Sequence, residues 1–431
     1  MQAGTSKPER CFLFLQGPHG PFFSGLGAGL RTAGARVIRL GFNAGDEVFW
    51  RGPGYVPFRQ PPEELPEALE MLISSKGITD IVLYGSSRPI HQIALETARP
   101  HDLTAHVFEE GYLRPYWVTY ERDGANAASP VTRYSLAEMA EALSTGAPLV
   151  SEAPDRWGDM RAHMFWGAAY HAALLGSSKR YQGFRPHRQP GVRREFWLHF
   201  KRLLETPGRA VRRKLATGRV RFGGFPYHLV LLQLDHDANF LDHGPFADQA
   251  SFLDHVFKGF SRGAPPHHHL VLKAHPLEDG REPLRPLISR LTAAHGLSGR
   301  VHFISGGKLA ALLDPARSAL TVNSTAAEQA LWRAMPLKVF GDAVYNRPEF
   351  VSFQTVEEFF QNPEPPDRDA YLTYRGFLLA TSQVPGGFYG ALSRRKLLRQ
   401  LPDLMLARES PYERIFARRI EADAQHLSVV G

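Results

Sequence analysis

Apolar runs of strand length alternate with amphipathic stretches of helical period through the first third of the chain. The runs predict strands at residues 11–17, 36–42, 80–85 and 103–111. Helical patterns lie between them, at residues 26–33, 63–75 and 89–97. This alternation is typical of a parallel sheet with helices on both faces. Ligands of such sheets bind at the carboxyl ends of the strands, so the loops after these runs are the first candidates for a site.

The same alternation returns in the second half of the chain. Apolar runs there predict strands at residues 228–234, 269–275, 300–305, 318–324 and 335–341, with helices at 246–260 and 284–294. We therefore predict an α/β protein with two Rossmann-like halves. A cleft between two such halves is a natural place for a nucleotide-linked substrate.

The pattern also indicates how the chain is divided. We expect an N-terminal Rossmann-like domain at residues 1–135 and a helical, basic connector at 136–224. A second Rossmann-like domain is expected at 225–370. The tail at 371–431 reads as amphipathic helices that pack back on the N-terminal half.

Composition narrows the class of protein. Of the 431 residues, 43% are hydrophobic and 22% charged, a balance that excludes a disordered, collagen-like or coiled-coil protein. The single cysteine, Cys11, excludes an internal disulfide and fits a reducing compartment. No run of about 18 apolar residues predicts a membrane span, and the N-terminus lacks the apolar core of a signal peptide.

Positive charge is concentrated in one segment. The net charge is +8, yet 14 of the 51 basic residues lie between Lys179 and Arg221, where the only acids are Glu195 and Glu205. Aromatic side chains alternate with these charges. Such a segment favours contact with an anionic membrane, because each basic residue near the headgroups contributes about 1 kcal/mol of binding free energy. The alternative is an ordinary surface exposed to solvent. Nucleic acid ranks third, because no nucleic-acid motif accompanies the charge.

Two adjacent carboxylates end the fourth predicted strand. Glu109 and Glu110 are followed by Gly111, which lets the backbone turn sharply and pass close to a ligand. A carboxylate in this position can act as a base or as a nucleophile. Judged by spacing alone, a solvated turn is the more frequent explanation of such a pair.

Two further clusters lie at strand ends in the second half. His275 and Pro276 end an apolar run, where an imidazole can contact or protonate a leaving phosphate. A structural histidine is the more frequent explanation of that pair. Asn323, Ser324 and Thr325 precede a helix whose free N–H groups, with the two hydroxyls, suit a phosphate. A plain helix cap explains those three residues equally well.

The first strand is followed by a glycine-rich turn that does not have the dinucleotide-binding pattern. It lacks the G-x-G-x-x-G spacing, and the second strand lacks a terminal acid, so a dehydrogenase is disfavoured. Gln16, Gly17 and His19 are instead candidates to approach an acceptor or a sugar, with a structural turn as the alternative. The consecutive histidines at 267–269 would alternate faces on a strand, so they make a poor metal site.

Several motifs occur in a characteristic order. They are FLQGPHGPFF, FEEGYLRPYWVT, RYQGFRPHR, LLQLDHDANF with HGPF, KAHP, and NSTAAEQAL with MPLKVFGDAVY. Together they resemble the capsule polysaccharide synthesis family of KpsS/LipB-like β-Kdo transferases, from about Cys11 to about Tyr389. The resemblance implies a GT-B-like glycosyltransferase, with two Rossmann-like domains facing a central cleft. The domain at 1–135 would be on the acceptor side, and the domain at 225–370 would bind the CMP-sugar.

The resemblance also implies a reaction and its partners. The donor would be CMP-Kdo, and the protein would start a poly-Kdo linker on lysophosphatidylglycerol or a related lipid at the cytoplasmic face of the inner membrane. Other capsule assembly proteins are expected partners there. No cofactor or metal is expected, because CMP is already a good leaving group. The alternatives are a transferase of another CMP-sugar, such as sialic acid, and a non-catalytic capsule assembly or export protein.

Related CMP-sugar transferases share three motifs that match Glu109–Gly111, His275–Pro276 and Ser324–Thr325. The match implies Glu110 as the nucleophile of a retaining transfer, Glu109 as a positioning group or base, and His275 as the partner of the departing phosphate. The expected donor-binding set is Lys273, Pro276, Asn323, Ser324, Thr325 and Glu328. The expected sugar- or acceptor-binding set, including candidates to hold a carboxylate or phosphate, is Gln16, Gly17, His19, Gly111, Arg114, His187 and Arg188.

Overall fold

The computed structural model describes residues 9–114, 117–144, 160–176, 180–181, 214–234, 238–275, 278 and 283–417. The chain divides into two compact units. Unit 1 comprises residues 1–197 and 376–431, and unit 2 comprises residues 198–375, each as far as it is described. Each unit has its own β-sheet.

Seven strands form the sheet of unit 1. They are β1 (Cys11–Phe14), β2 (Arg36–Gly41), β3 (Tyr55–Pro57), β4 (Asp80–Tyr84), β5 (Thr104–Glu110), β6 (Trp117–Arg122) and β12 (Gln383–Pro385). Their order is β12-β6-β5-β4-β1-β2-β3. β1 to β5 pair in parallel, whereas β6 is antiparallel to β5 and β12 is antiparallel to β6. The four strands predicted in this part of the chain are confirmed as β1, β2, β4 and β5.

Helices cover both faces of this sheet. Those of unit 1 are α1 (Phe22–Thr32), α2 (Ala44–Val48), α3 (Leu65–Lys76), α4 (Pro89–Ala98), α5 (Leu136–Ser144), α6 (Met160–Gly176), α15 (Ala391–Leu406) and α16 (411–417). α1 and α15 pack together on one face, over a fully buried cluster that includes Phe14 and Phe108. α3 and α4 cover the opposite face, over a second cluster that includes Leu13 and Val107.

The two antiparallel strands at one edge of the sheet were not predicted. β6 follows β5 after a short reversal at Gly111, and its WVTYER sequence is rich in the aromatic and β-branched residues that favour strands. That composition was a usable signal for β6. β12 has only three residues and lies inside the tail predicted to be helical, so no periodic signal marks it.

Unit 2 has five parallel strands. They are β7 (Tyr227–Leu231), β8 (His269–Lys273), β9 (Val301–Ile304), β10 (Ser318–Thr321) and β11 (Leu337–Val339), in the order β11-β10-β7-β8-β9. All five confirm predicted strands. The predicted runs extend one to three residues past the strand ends, because residues such as Leu232 stay buried after strand pairing stops.

The helices of unit 2 include two that were predicted. The set is α7 (214–221), α8 (Ala238–His243), α9 (Gln249–Gly263), α10 (Leu284–Ala294), α11 (Ala310–Leu313), α12 (Glu328–Leu331), α13 (Val356–Gln361) and α14 (Arg368–Thr381), whose last residues belong to unit 1. α10 has the predicted bounds. α9 begins three residues later than predicted because Asp248 caps it, accepting a hydrogen bond from the Ser251 backbone N–H at 2.7 Å.

The sheets confirm the α/β class and the two Rossmann-like halves of a GT-B-like fold. The described part of the predicted connector contains α5, α6 and α7. The predicted domain boundaries at 135, 224 and 370 stay predictions.

Paired charges hold the amino ends of the strands in unit 1. Asp80, at the start of β4, is buried and accepts hydrogen bonds from Arg10 Nε and from His106 Nε2, each at 2.9 Å. Burial alone would raise the pKa of Asp80, but these donors outweigh it and hold the pKa at about 2. The carboxylate therefore stays ionised and fully paired at this edge.

Candidate functional site

Three neighbouring strands of unit 1 bring the predicted carboxylates to one edge of the sheet. β5, β4 and β1 are adjacent and parallel, so the chain leaves all three at the same edge after Glu110, Tyr84 and Phe14. This is the edge at which parallel sheets bind ligands. The residues that gather there come from loops far apart in sequence.

Glu109 and Glu110 are both half-buried but contact different groups. Successive side chains of a strand point to opposite faces, and the two hydrophobic clusters of the sheet occupy alternate residues of β5. Glu110 accepts a hydrogen bond from the Tyr84 hydroxyl at 3.2 Å. Glu109 accepts one from Asn126 Nδ2 at 3.4 Å. The two carboxylates therefore do not form an acid–base pair on a common face.

Tyr84 links Glu110 to the C-terminal part of unit 1. Its hydroxyl lies 3.5 Å from the Tyr389 hydroxyl, and the Tyr389 ring stacks on His163 with the ring centres 4.3 Å apart. Burial raises the pKa of Tyr84 well above its ordinary value, and the Tyr389 hydroxyl and the Glu110 carboxylate add to that effect. Tyr84 therefore stays protonated at neutral pH, and its hydroxyl is the donor in the hydrogen bond to Glu110.

The loop after β1 is packed against α6. Gln16 Nε2 donates to the Tyr170 hydroxyl at 3.1 Å, and the His19 ring stacks on the Tyr170 ring with centres 4.4 Å apart. Gly17 is buried, and a Cβ there would lie 2.5 Å from the Phe23 ring, so a larger residue would displace that ring. Gln16 and His19 remain half-buried, with part of each side chain accessible at the edge of the sheet.

The structure changes the interpretation of Gly111. A Cβ on this residue would lie 2.1 Å from the Trp117 carbonyl oxygen, so glycine is required by the close approach of β6. This contact is sufficient to explain the glycine, and its expected approach to a ligand stays a prediction. Arg114, which follows in the same turn, is exposed and donates from Nε to the Gly111 carbonyl at 3.3 Å.

In unit 2, the end of β8 holds a buried cation. Lys273 is 5% exposed, and its Nζ donates to the Ala274 carbonyl at 3.4 Å. Within the described residues, no carboxylate lies at ion-pair distance from it. Burial lowers the pKa of Lys273 to about 8, so the ammonium is mostly charged at neutral pH. His275 follows two residues later and is half-buried.

Asn323, Ser324 and Thr325 lie just after β10. Asn323 is buried between hydrogen bonds to Gln233, whose Nε2 donates to Asn323 Oδ1 at 2.8 Å and whose Oε1 accepts from the Asn323 backbone N–H at 3.0 Å. Ser324 is the predicted cap, accepting from the Ala326 backbone N–H at 3.3 Å. Thr325 opens a single 3-10 turn that leads into α12.

Glu328 lies inside unit 2. It is 3% exposed and accepts hydrogen bonds from the hydroxyls of Tyr371 at 2.9 Å and Tyr374 at 3.4 Å. Burial raises the pKa of Glu328 to about 7, with the tyrosine hydrogen bonds opposing that effect. These contacts explain the residue as part of the packing of α14, and they do not support its predicted place in donor binding.

A sequence model of the family described as capsule polysaccharide biosynthesis protein matches residues 79–389. The chain belongs to this family. The membership predicted from the ordered motifs is therefore confirmed.

Relatives in the family cover most of the chain. It is 31% identical over 390 residues to the capsule polysaccharide export protein KpsS of Escherichia coli, covering 88% of this chain and 96% of that protein. It is 30% identical over 381 residues to the capsule polysaccharide modification protein LipB of Neisseria meningitidis serogroup B, covering 88% and 91%. A solved structure, the β Kdo 2,7 transferase of Thermosulfurimonas dismutans KpsC, matches with 13% identity and a TM-score of 0.44, covering 92% of this chain and all of that one.

Some expected residues lie outside the part of the chain that the structure describes. They are Pro276, His187, Arg188 and most of the basic segment between Lys179 and Arg221. In the described ranges, no group of three or more His, Cys, Asp or Glu side chains could hold a metal ion. No helix among the same residues is both long and apolar enough to cross a membrane.

Two residues at the edge of unit 1 were not among those predicted from the sequence. Tyr84 ends β4, and Arg88 precedes α4, where its Nη1 donates to Gln16 Oε1 at 2.8 Å. The strand before them was predicted correctly. Both residues lie at or just after the carboxyl end of β4, the same kind of position that led to the choice of Glu110 at the end of β5.

Proposed function

We propose that this chain is a retaining β-Kdo glycosyltransferase that uses CMP-Kdo to start a poly-Kdo linker on lysophosphatidylglycerol in capsular polysaccharide biosynthesis. The observation that carries the proposal is Glu110. It is a half-buried carboxylate at the carboxyl end of a parallel strand, hydrogen-bonded by Tyr84, in a member of the capsule polysaccharide biosynthesis family. A carboxylate fixed in this way suits attack on a bound sugar.

Transfer would proceed by two displacements. In the first, a Glu110 oxygen attacks the anomeric carbon, and the bond from that carbon to the phosphate oxygen breaks, so CMP departs with the bonding electrons. In the second, the acceptor hydroxyl displaces Glu110 and gives its proton to a base. Two inversions retain the configuration of the sugar. Glu109 is the candidate for a positioning role or for that base, and its separate contact with Asn126 favours positioning.

The donor phosphate would bind at the carboxyl edge of unit 2. Lys273 is charged and buried, and an anion would offset the cost of removing its ammonium from water. His275 lies two residues away and can stabilise the departing phosphate. Ser324 and Thr325 add hydroxyls and the start of a helical turn. We assign the CMP phosphate to these four residues, and Pro276 stays an expected member of the same donor-binding set.

A peripheral contact with the inner membrane is part of the proposal. The described end of the basic segment, α7, carries Lys214 and Arg219 beside two exposed apolar side chains. Leu215 is 69% exposed and Phe222, just after the helix, is 82% exposed. Basic and apolar groups together suit a surface of anionic lipid headgroups. The protein would bind the lipid acceptor, and contact any other capsule assembly proteins, at this membrane surface.

Transfer of another CMP-sugar, such as sialic acid, is the alternative within the same class of reaction. The name of the Escherichia coli relative, an export protein, favours a second alternative, a non-catalytic role in capsule assembly. A donor competition between CMP-Kdo and CMP-sialic acid separates the two transferases. The non-catalytic alternative predicts no binding of CMP, which a thermal-shift measurement detects.

The decisive experiment supplies purified protein with a CMP-Kdo-generating system and a lysophosphatidylglycerol analogue, and reads the product by mass spectrometry. We expect one added Kdo with wild-type protein and none with Glu110→Gln or His275→Ala, because each removes a group that acts on the reacting bond. Glu96→Gln, an exposed carboxylate on α4, is the matched control and should keep full activity. Product formation at the wild-type rate by Glu110→Gln would end the proposal.

A further inference from the structure

Arg88 is held at the carboxyl edge of unit 1 by two contacts. Its Nη1 donates to Gln16 Oε1 at 2.8 Å, and its guanidinium carbon lies 5.4 Å from the centre of the Tyr84 ring. The first contact ties it to the loop after β1 and the second to the end of β4. The guanidinium is therefore positioned by the fold although the side chain is only half-buried.

A chain of hydrogen bonds fixes the amide that receives Arg88. Gln16 Nε2 donates to the Tyr170 hydroxyl at 3.1 Å, which sets the direction of the Gln16 amide and turns its oxygen toward Arg88. The Tyr170 hydroxyl in turn accepts from Asn43 Nδ2 at 2.7 Å and donates to Asp46 Oδ1 at 3.3 Å. Such a supported arrangement limits the conformations that the guanidinium can adopt.

The charge of Arg88 is not balanced by the fold as far as the structure describes it. Within the described ranges, no carboxylate lies at ion-pair distance from Arg88. The Gln16 side chain accepts a hydrogen bond from one of the five N–H groups of the guanidinium. Arg88 also precedes the first turn of α4, where a positive charge is unfavourable to the helix dipole. Stabilisation of the helix therefore does not explain an arginine in this position.

The edge that Arg88 occupies is also that of Glu110. Tyr84 connects them, because its ring lies under the guanidinium while its hydroxyl donates to Glu110 Oε1. In a sugar acid of the 2-keto class, the carboxylate is bonded to the anomeric carbon itself. A nucleophile that reaches this carbon therefore needs a carboxylate-binding group in its immediate surroundings.

We propose that Arg88 binds the carboxylate of the donor's 2-keto sugar acid and so selects acidic over uncharged sugars at this site. The inference rests on the proposed function, since it takes Glu110 as the group that attacks the sugar. The planar fork of a guanidinium matches a carboxylate with two parallel hydrogen bonds. Arg88 would also shield the Glu110 carboxylate from the negative charge on the substrate.

The test compares wild-type protein with Arg88→Gln and Arg88→Lys, using free Kdo and its methyl ester as binding probes in ligand-observed NMR titrations. We expect wild-type protein to prefer the acid over the ester by about 10- to 100-fold, the range of a hydrogen-bonded charge pair. Arg88→Gln should lose that preference, and Arg88→Lys should keep only part of it. Arg99→Gln, an exposed arginine at the other end of α4, should behave as wild type.

Transfer assays on the same variants separate this inference from the proposed function. If Arg88→Gln raises the KM for the donor about 10- to 100-fold while the affinity for CMP is unchanged, the inference and the proposed function are both supported. If wild-type protein transfers Kdo and Arg88→Gln keeps the preference for the acid, the inference is overturned and the function stands. If wild-type protein transfers nothing but its preference for the acid depends on Arg88, the function fails and the carboxylate site stands. Equal binding of acid and ester by wild-type protein overturns the inference in every case.

Discussion

Replacing Lys273 with methionine should make unit 2 more stable and remove its affinity for the donor phosphate. The lysine is 5% exposed at the end of β8, with a single hydrogen bond to the neighbouring carbonyl. Methionine has a similar length and no charge, so it can fill the same space without the cost of desolvating an ammonium. Gain of stability with loss of binding is the signature of a residue kept for function.

The size of the effect follows from the pKa of Lys273. Burial lowers that pKa from its ordinary 10.5 to about 8. At about 1.4 kcal/mol per pKa unit, holding the ammonium charged costs the folded state about 3 kcal/mol at neutral pH. With a urea dependence of roughly 1–3 kcal/mol per molar, the methionine variant should unfold about 1 M or more higher in urea.

The free-energy cost of burying the Lys273 ammonium depends on pH. Below pH 8 the lysine is protonated in both the folded and the unfolded chain, so the full cost is present. Between pH 8 and pH 10.5 the folded chain releases its proton first, and the unfolded chain binds more protons, so stability rises with pH. The difference in stability between Lys273→Met and wild type should therefore be largest near pH 7 and disappear toward pH 10.5.

Urea unfolding followed by circular dichroism at several pH values measures this difference, and calorimetric titration with CMP measures binding. Lys258→Met is the matched control, because Lys258 is an exposed lysine on α9 of the same unit. The control should shift neither the midpoint nor the affinity. If Lys273→Met unfolds at the wild-type urea concentration at pH 7, the burial argument is wrong. If it binds CMP as wild type does, Lys273 does not belong to the donor site.

Two other predictions concern unit 2. Burial raises the pKa of Glu328 to about 7, so the folded chain loses stability as the pH rises from 4.5 to 7. Glu328→Gln should remove that loss in urea unfolding and leave the affinity for CMP unchanged. A variant that binds CMP more weakly would support the expected role of Glu328 in donor binding. Serine at Leu215 and Phe222 should weaken sedimentation with anionic vesicles by roughly tenfold or more, since a large apolar side chain removed from water is worth about 1.5–3 kcal/mol. Leu392→Ser, which changes a leucine 79% exposed in unit 1, should bind vesicles as wild type, and equal binding by all variants would contradict a role for α7.

Most of the fold could be predicted because its strands are buried on both faces. Such strands appear as continuous apolar runs, and β1, β4, β7 and β8 all have this pattern. The antiparallel edge could not be predicted in the same way. β6 mixes buried polar and apolar residues, including Glu121, which is buried and accepts hydrogen bonds from Tyr112 and Tyr412. A partner as distant in sequence as Tyr412 leaves no local pattern, so only the aromatic and β-branched composition of β6 marks it as a strand.

The candidate site was predictable where its chemistry follows a strand directly. Glu110 and Ser324 were chosen for that reason, and each lies at a carboxyl edge. Lys273 was expected only from the family resemblance, and it ends β8 at such an edge as well. Glu328 could not be placed in this way, because α12 begins with two polar residues while Tyr371, on α14, covers the Glu328 carboxylate. Whether a polar side chain faces a ligand or a distant tyrosine depends on tertiary packing, which the local sequence does not record.

The distribution of paired charge separates structural residues from candidate ligand-binding ones. At the amino edge of unit 1, Asp80 forms an ion pair with Arg10 and accepts a hydrogen bond from His106, so folding alone accounts for all three. Arg88 and Lys273 lie at carboxyl edges and have no carboxylate partner in the described part of the chain. A cation removed from water without a counter-charge destabilises the folded chain, so its presence needs a reason outside the fold. An anionic ligand gives that reason in each unit: a carboxylate at Arg88, whose guanidinium is held by Gln16, and a phosphate at Lys273.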